Sequence, residues 1–282
     1  MLNLPQVTLC CVDTRLPQMA LDAMKICMAQ VEFGDALFFT CPNHGLTDVP
    51  PGVRVIELDS INSIEAYSHF LLKGMGPYLQ TSHMLIVQWD GYVLDPSMWR
   101  DDYLTVDYIG AVWPQYQDEH RVGNGGFSLR SRKLLDALTS EAIVAQHPED
   151  VCIARTYRTL LEQRWGIRFA DEALAHQFAF ERERQTPSSF GFHGMSNMGA
   201  LLSEEELSMF MRDAPATLFG SVEARGFIKH LIRRNMKNVA KTALLRRRHT
   251  KTIDIADMRL WIRFFIPENR IIGSVKKSNQ SN

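Results

Sequence analysis

The chain has 282 residues, of which 45% are hydrophobic and 22% are charged, and its formal net charge is −1. These values are typical of a globular protein with a hydrophobic core of normal size, and they exclude an intrinsically disordered chain. No run of 18 apolar residues and no basic stretch before an apolar N-terminal segment are present. The sequence therefore predicts neither a membrane span nor a signal peptide.

The five cysteines show no CxxC pair and no Cys/His zinc spacing, and they are Cys10, Cys11, Cys27, Cys41 and Cys152. Their number is odd, and most of them lie inside apolar runs. Such a pattern predicts reduced, buried thiols in a cytoplasmic protein.

The first half of the chain alternates short apolar runs with helical patterns. Strands are predicted at residues 6–13, 36–40, 53–58 and 84–87, and helices from Pro17 and at residues 63–72, with Ser63 as the N-cap. Alternation of this kind predicts βαβ units and a mostly parallel sheet.

The strand at residues 84–87 is followed by Gln88, Trp89, Asp90 and Gly91. A carboxylate at this position lies at the carboxyl edge of the sheet, where open α/β sheets bind ligands. There it is able to hold a divalent cation, which in turn binds a diphosphate. The alternative is an ordinary Asp-Gly turn.

The second half predicts strands at residues 107–113 and 167–170 and helices at residues 131–139, 148–163 and 171–181, with a helical region from residue 203. A glycine-rich turn at residues 122–130 runs into a strand, and residues 189–194 form a compact loop. Consecutive Gly125 and Gly126 allow the backbone to approach a ligand closely, or they simply form a β-turn. The turn has neither Walker nor GxGxxG spacing.

Two acids and one histidine are further candidates for functional residues. Glu149 and Asp150 open a helix, where acids are favoured by the helix dipole alone, although one of them is also suited to act as a general base. His193, between Gly191 and Gly194, is either a structural histidine or a cation ligand.

Five motifs, in order, resemble those of nucleotide-sugar glycosyltransferases of the GT-A fold, and in particular a group of bacterial glycosyltransferase-like domains. They occupy residues 88–93, 107–114, 123–130, 148–151 and 190–194. The resemblance spans residues 6–194. It implies an α/β, Rossmann-like, mostly parallel mixed sheet flanked by helices. We expect a catalytic domain at residues 1–200 and a helical, basic extension at residues 201–282.

The resemblance also implies roles for residues. Asp90 acts in place of the usual DxD motif, and Asp90 and His193 bind Mn²⁺ or Mg²⁺. Asp150 is the catalytic base, with Glu149 in reserve. The donor-binding residues are Asp13, Thr14, Gln88, Trp89, Asp90 and Gly91, and the acceptor-side loop is formed by Asn124, Gly125, Gly126 and Phe127. The chain departs from a full DxD motif at Gln88, which leaves metal-independent chemistry open.

The implied activity is that of an inverting hexosyltransferase. Its donor is a nucleotide-diphosphate sugar, with uridine diphosphate expected, and its acceptor is a glycan or a lipid-linked molecule of a bacterial surface polysaccharide such as lipopolysaccharide. The alternatives are a catalytically inactive nucleotide-sugar-binding or assembly protein and a nucleic-acid binder. Repulsion between phosphate and the acidic main domain argues against nucleic acid.

Charge is distributed unevenly along the chain. Residues 225–282 contain 15 Lys or Arg and 3 Asp or Glu, whereas the first 224 residues contain 16 and 29. Apolar residues from Phe227 to Leu244 recur at steps of three and four, which predicts a basic amphipathic helix. It either lies on the anionic inner face of the cytoplasmic membrane through residues 225–265, with Trp261, Phe264 and Phe265 as aromatic anchors, or packs on the catalytic domain.

Overall fold

The computed structural model describes residues 1–59, 61–182 and 188–266. Contacts divide the chain into two units, Met1–His193 and Gly194–Asn282. Within the described residues, no helix combines the length and the apolarity needed to cross a bilayer.

The first unit is built around a six-stranded sheet with helices packed on it. Its strands are β1 (Leu2–Val12), β2 (Val31–Thr40), β3 (Val53–Glu57), β4 (His83–Val87), β5 (Tyr108–Ile109), β6 (Ser128–Ser131), β7 (Ala179–Phe180) and β8 (Gly191–Phe192). Its helices are α1 (Pro17–Met28), α2 (Ile64–His69), α3 (Arg132–Leu138), α4 (Glu149–Val151), α5 (Arg158–Trp165) and α6 (Glu172–Phe178).

The large sheet has the order β3-β2-β1-β4-β6-β5, and β7 and β8 form a small parallel pair. Strands β1 to β4 are parallel, whereas β6 runs antiparallel to both β4 and β5. The predicted mixed, mostly parallel α/β architecture is therefore confirmed. The central strands are buried on both faces, as their near-continuous apolar sequences require.

The register brings distant segments to one edge of the sheet. Cys11 of β1 pairs with Val87 of β4, so the residues that follow both strands emerge at the same carboxyl edge. Because β6 is antiparallel to β4, with Ile86 opposite Ser128, the residues that precede β6 lie at that edge as well. The topology thus places Asp13, Asp90 and the glycine loop (residues 124–127) at one edge.

Several predicted elements differ from those observed. The strand predicted at residues 107–113 is shorter in the structure, where β5 spans two residues. The backbone after β5 forms its hydrogen bonds with residues 121–124 and does not continue the pairing with β6. Residues 167–170 contribute one bridge, Phe169 to Tyr108, instead of a strand. The helix predicted at residues 148–163 is interrupted by a π-helical turn at Cys152–Thr156. The helix predicted at residues 171–181 ends at Phe178, and β7 follows.

Local capping explains the helix starts that the sequence predicts correctly. The Ser63 hydroxyl accepts a hydrogen bond from the Ala66 amide at the start of α2, and Ser131 does the same for Leu134 at the start of α3. After α2 the chain continues into a π-helical turn, Phe70–Gly74. All five cysteines are free thiols, and four of them are buried, as predicted.

The second unit is helical over its described residues. Its helices are α7 (Met195–Leu201), α8 (Glu204–Asp213), α9 (Glu223–Arg233), α10 (Lys237–Thr250) and α11 (Ile255–Phe265). The single amphipathic helix predicted from Phe227 to Leu244 is two helices, since the chain turns at Asn235, whose φ is 59°. The apolar residues of α9 and α10, including Phe227, Leu231 and Leu244, are buried inside this unit. Their periodicity therefore reflects a helical core.

Candidate functional site

The candidate site is built first around a tight hairpin at the carboxyl end of β4. The amide of Gly91 donates to the Gln88 carbonyl at 3.1 Å, and the amide of Gln88 donates to the Gly91 carbonyl at 3.3 Å. Trp89 and Asp90 are therefore the central residues of a turn at the carboxyl edge of the sheet. The Asp90 side chain is buried there, so its carboxylate is not simply a solvated turn residue.

Short strand pairings bring His193 to this hairpin. Val93 bridges Gly191, and the Phe192 amide donates to the Tyr92 carbonyl at 3.3 Å. On the other side of β8, the His193 amide donates to the Phe180 carbonyl at 3.0 Å, which aligns β7 with β8. The residue after β7, Glu181, consequently lies beside His193.

The His193 imidazole is surrounded by oxygen atoms. Its Nε2 lies 3.0 Å from Gln88 Oε1 and 3.4 Å from Asp90 Oδ1, and its Nδ1 lies 3.4 Å from Glu181 Oε1. Burial by itself lowers the pKa of His193, but the charges of Asp90 and Glu181 and the hydrogen bonds to them hold it well above its usual value. In return, although burial raises the pKa of Glu181, the His193 contact brings it below its ordinary value.

Gln88 is held in a defined orientation. Its Nε2 donates to the Tyr67 hydroxyl at 2.9 Å, which turns its Oε1 toward His193. The position that departs from a DxD motif thus presents an oxygen atom to the same point as the Asp90 carboxylate.

The glycine loop joins His193 to Asp150. Asn124 Nδ2 lies 3.2 Å from His193 Nδ1, and the Gly125 amide donates to Asp150 Oδ2 at 3.2 Å. A Cβ at Gly126 would lie 2.2 Å from His193 Nε2, and one at Gly125 would lie 2.5 Å from Glu149 Oε1. Glycine is therefore required at both positions for the close approach of these side chains.

The two acids of α4 have different surroundings. Burial, followed by the charge of Glu149, raises the pKa of Asp150 to about 6. Glu149 is buried against Arg130, whose Nη2 lies 3.3 Å from Glu149 Oε1. Arg130 is fully buried, and its guanidinium also lies 5.5 Å from the centre of the Tyr108 ring. Glu149 thus serves as the counter-ion of Arg130. The raised pKa of Asp150 is in the range that suits a general base near neutral pH.

Asp13 and Thr14 lie at the end of β1. Asp13 Oδ1 accepts hydrogen bonds from the amides of Arg15 and Leu16 at 2.7 and 2.6 Å, so it shapes the turn before α1. Burial raises the pKa of Asp13. The negative charge of Asp90 adds to that effect, because the two carboxylates lie close enough to repel each other. The Thr14 carbonyl faces the Cys41 thiol, 3.7 Å away.

A divalent cation here would displace the proton on His193 Nε2, and its protein donors would be Nε2, Gln88 Oε1 and Asp90 Oδ1. Neighbouring ligands of a six-coordinate cation with bonds of about 2.1 Å are roughly 3 Å apart, close to the separations of Gln88 Oε1 and Asp90 Oδ1 from His193 Nε2. Glu181 faces the other ring nitrogen, Nδ1. Histidines that bind a metal usually have a carboxylate in this position, which orients the ring. Among the described residues no group of three or more His, Cys, Asp or Glu side chains forms a metal site.

The structure therefore brings together Asp90, Asp150 and His193 through the glycine loop, with Gln88 and Asp13 beside them. Three contributors were missed in the sequence: Tyr67, Arg130 and Glu181. Arg130 carries a signal in the sequence, since an arginine where the glycine-rich turn runs into a strand requires a counter-ion once that strand is buried. Glu181 carried none, because it was assigned to the end of a helix.

A separate depression of about 680 Å³ lies at the opposite end of β4, lined by residues that include His83, Asp107, Lys133 and Trp165. Its polar groups bind one another: Asp107 accepts from Ser131 Oγ at 2.7 Å, and Lys133 Nζ lies 3.5 Å from Asp107. It is wide and open, and we do not assign it a ligand.

A family model described as "Protein of unknown function (DUF5672)" matches residues 52–193, just over half of the chain. The chain belongs to this family. The part that matches DUF5672 begins just before β3 and ends at His193. It includes Asp90, the glycine loop, Asp150 and Glu181, whereas Asp13 and Thr14 precede it. No curated protein sequence matches the chain.

The chain is similar to solved structures at low identity. One is a glycosyltransferase involved in glycosylation of the major capsid of PBCV-1, with 11% identity, 66% of this chain and 92% of that chain covered, and a TM-score of 0.42. Another is the mannosyltransferase PcManGT from Pyrobaculum calidifontis in complex with GDP-Man and Mn²⁺, with 12% identity, 91% and 79% covered, and a TM-score of 0.41. A third is A197 from STIV, with 10% identity, 59% and 82% covered, and a TM-score of 0.34.

Proposed function

We propose that this chain is a glycosyltransferase that uses a nucleotide-diphosphate sugar and transfers the sugar, with inversion, to a hydroxyl of a glycan or lipid-linked acceptor. The observation that carries the proposal is a chain of contacts at the carboxyl edge of the sheet: Asp90 lies against His193, His193 against Asn124 of the glycine loop, and Gly125 of that loop binds Asp150. Ligands bind at this edge in open α/β sheets. The proposal assigns the uridine nucleotide and the surface-polysaccharide role by motif resemblance.

The first set of roles concerns the donor. Gln88 Oε1, Asp90 Oδ1 and His193 Nε2 would hold Mn²⁺ or Mg²⁺ together with the diphosphate of the donor. When bound, the cation would offset the negative charge that develops on the leaving diphosphate. Glu181 orients the imidazole through Nδ1, and Tyr67 orients the Gln88 amide. The nucleoside is assigned to the end of β1, beside Asp13 and Thr14.

The second set concerns the acceptor. Asp150, in α4 beside the glycine loop, is partly exposed, and its raised pKa makes it a stronger base than an ordinary carboxylate. In the proposed step it takes the proton from the acceptor hydroxyl as that oxygen bonds to the anomeric carbon, and the bond from that carbon to the diphosphate breaks. The Gly125 amide holds Asp150 in place.

A screen of nucleotide sugars tests the proposal. The purified chain is incubated with a panel of uridine and guanosine diphosphate sugars, with and without Mn²⁺, and release of the nucleoside diphosphate is measured. We expect turnover with at least one donor, increased by Mn²⁺, and its loss in Asp90→Ala. Binding of a donor without any turnover would support the second candidate, an inactive nucleotide-sugar-binding protein. Neither binding nor turnover with any donor would contradict both.

A further inference from the structure

Helix α11 has an apolar face that its own unit leaves exposed. Ile255, Met258, Ile262 and Phe265 recur at steps of three and four, so they form one stripe along the helix. Their exposed fractions are 66%, 49%, 57% and 70%. The stripe extends about 15 Å along the axis. Four large apolar side chains in one continuous row differ from the single exposed apolar residues that are usual on a protein surface.

The opposite face of α11 fixes this orientation. Asp257 is buried, and its Oδ1 accepts from Arg247 Nε at 2.6 Å and from Arg225 Nε at 3.0 Å. Leu260 is buried on the same face. Asp254 caps the helix and forms a capping box with Asp257. Rotating the stripe inward would therefore require separating a buried carboxylate from its two guanidinium partners.

The helices that pack against α11 are rich in cations. Residues 223–265 contain twelve Lys or Arg and three Asp or Glu, and α11 packs against α9 and α10, which carry most of these cations. Two of the three acids, Asp254 and Asp257, are already paired with arginine or lysine. Arg259 of α11 and Lys237, Lys241 and Arg248 of α10 are exposed.

We propose that α11 docks on a membrane surface with anionic headgroups, with the stripe Ile255, Met258, Ile262 and Phe265 in the interface. An exposed apolar stripe in a cationic setting is the combination that interfacial helices use: the apolar face enters the headgroup boundary and the cations bind the anionic lipids. Phe265 stacks on Trp261 and contacts Phe264, so the stripe ends in an aromatic cluster. Helices α9 and α10 supply charge only, because their apolar faces are buried.

Vesicle flotation with the full chain tests the proposal. The vesicles contain phosphatidylcholine alone or phosphatidylcholine with phosphatidylglycerol. We expect binding only to the anionic vesicles, reduced by salt, and a loss of at least about tenfold in partitioning for Ile262→Ser with Phe265→Ser. The matched control is Met209→Ser with Val222→Ser, two residues with exposed fractions of 57% and 76% on the same unit, which should bind like the wild type. Arg259→Glu should weaken binding to anionic vesicles as well.

Three results would overturn the proposal. The first is no binding of the wild type to anionic vesicles. The second is unchanged binding of the Ile262→Ser, Phe265→Ser variant with a wild-type melting curve. The third is self-association of the wild type in sedimentation velocity that this variant abolishes, which would assign the stripe to a second copy of the chain. Turnover of a soluble donor should be the same in this variant as in the wild type, so the docking surface and the proposed glycosyl transfer can fail independently.

Discussion

His193 Nε2 lies 3.4 Å from Asp90 Oδ1, although the two residues belong to distant parts of the chain. The contact exists because Val93, just after the Asp90 hairpin, bridges Gly191. The carboxylate at the strand tip and the late histidine are therefore held by backbone pairing rather than by a flexible loop. Such pairing positions both side chains in advance, which would favour binding of the proposed donor diphosphate.

We expect Asp150→Asn to reduce kcat by roughly 10²–10⁴, the usual contribution of a general base, because the amide cannot take the acceptor proton. Donor affinity should remain near that of the wild type, since the proposal has Asp150 act on the acceptor and not on the donor. Steady-state transfer kinetics and calorimetry with the nucleoside diphosphate measure the two effects. Full activity in this variant would remove Asp150 from the mechanism.

The rate should rise with pH through about 6 and then reach a plateau, because the pKa of Asp150 is raised to about 6 and only its deprotonated form accepts a proton. Glu149→Gln should move this rise in rate to lower pH, since it removes the negative charge that helps to raise the pKa of Asp150. A pH profile of kcat/KM for both proteins measures the shift. An unchanged pH profile in the variant would show that a group other than Asp150 controls the rise in rate.

Glu181→Gln should weaken the binding of Mn²⁺ with a nucleoside diphosphate by roughly 10- to 100-fold, as loss of an outer carboxylate on a ligating histidine usually does. The change keeps the size of the side chain and removes the charge that faces His193 Nδ1. The control is Glu172→Gln, which removes the charge from a partly exposed contact with Arg121, away from His193. Equal affinities of the two variants in titration calorimetry would exclude this role of Glu181.

Gly126→Ala should reduce donor turnover by about 10²-fold, because its Cβ would overlap His193 Nε2 and displace the imidazole. Gly76→Ala is the matched control, since a Cβ at Gly76 meets nothing within 4 Å. Transfer assays on both variants, with melting curves to confirm folding, compare them. Similar turnover in the two variants would show that the position of His193 is unimportant.

Arg130→Met should lower the free energy of unfolding by about 3–5 kcal/mol, because it leaves the buried Glu149 carboxylate without a counter-ion. Adding Glu149→Gln should recover part of this loss. At the more exposed Arg54–Asp35 pair, Arg54→Met should cost no more than about 1 kcal/mol. Urea denaturation followed by circular dichroism measures all three, and equal losses at Arg130 and Arg54 would contradict this prediction.

The sequence predicts the parts of this molecule that depend on local pattern. The buried run that becomes β4, the Ser63 cap and the position of Asp90 after a strand are all readable from a few neighbouring residues. Asp90, Asp150 and His193 were selected partly by motif resemblance, and the structure brings them to one loop. Their catalytic roles remain proposals.

The features that depend on long-range packing were not predictable. Glu181 lies beside His193 only because β7 pairs with β8, and strands of two residues leave no periodic signal. The break at Asn235 depends on a positive φ that its sequence neighbours do not demand. The exposed stripe of α11 depends on the burial of Asp257 against Arg247, a long-range contact that fixes the inner face of the helix.

A crystal structure with a nucleoside diphosphate and Mn²⁺ would show whether Asp90, His193 and Asp150 surround one nucleotide-sugar site. We expect the ion in contact with Asp90 and His193, with Gln88 Oε1 beside them and the terminal phosphate directed toward the glycine loop. Nucleotide density in the depression near His83 and Lys133, or anywhere else away from the Asp90 hairpin, would contradict it.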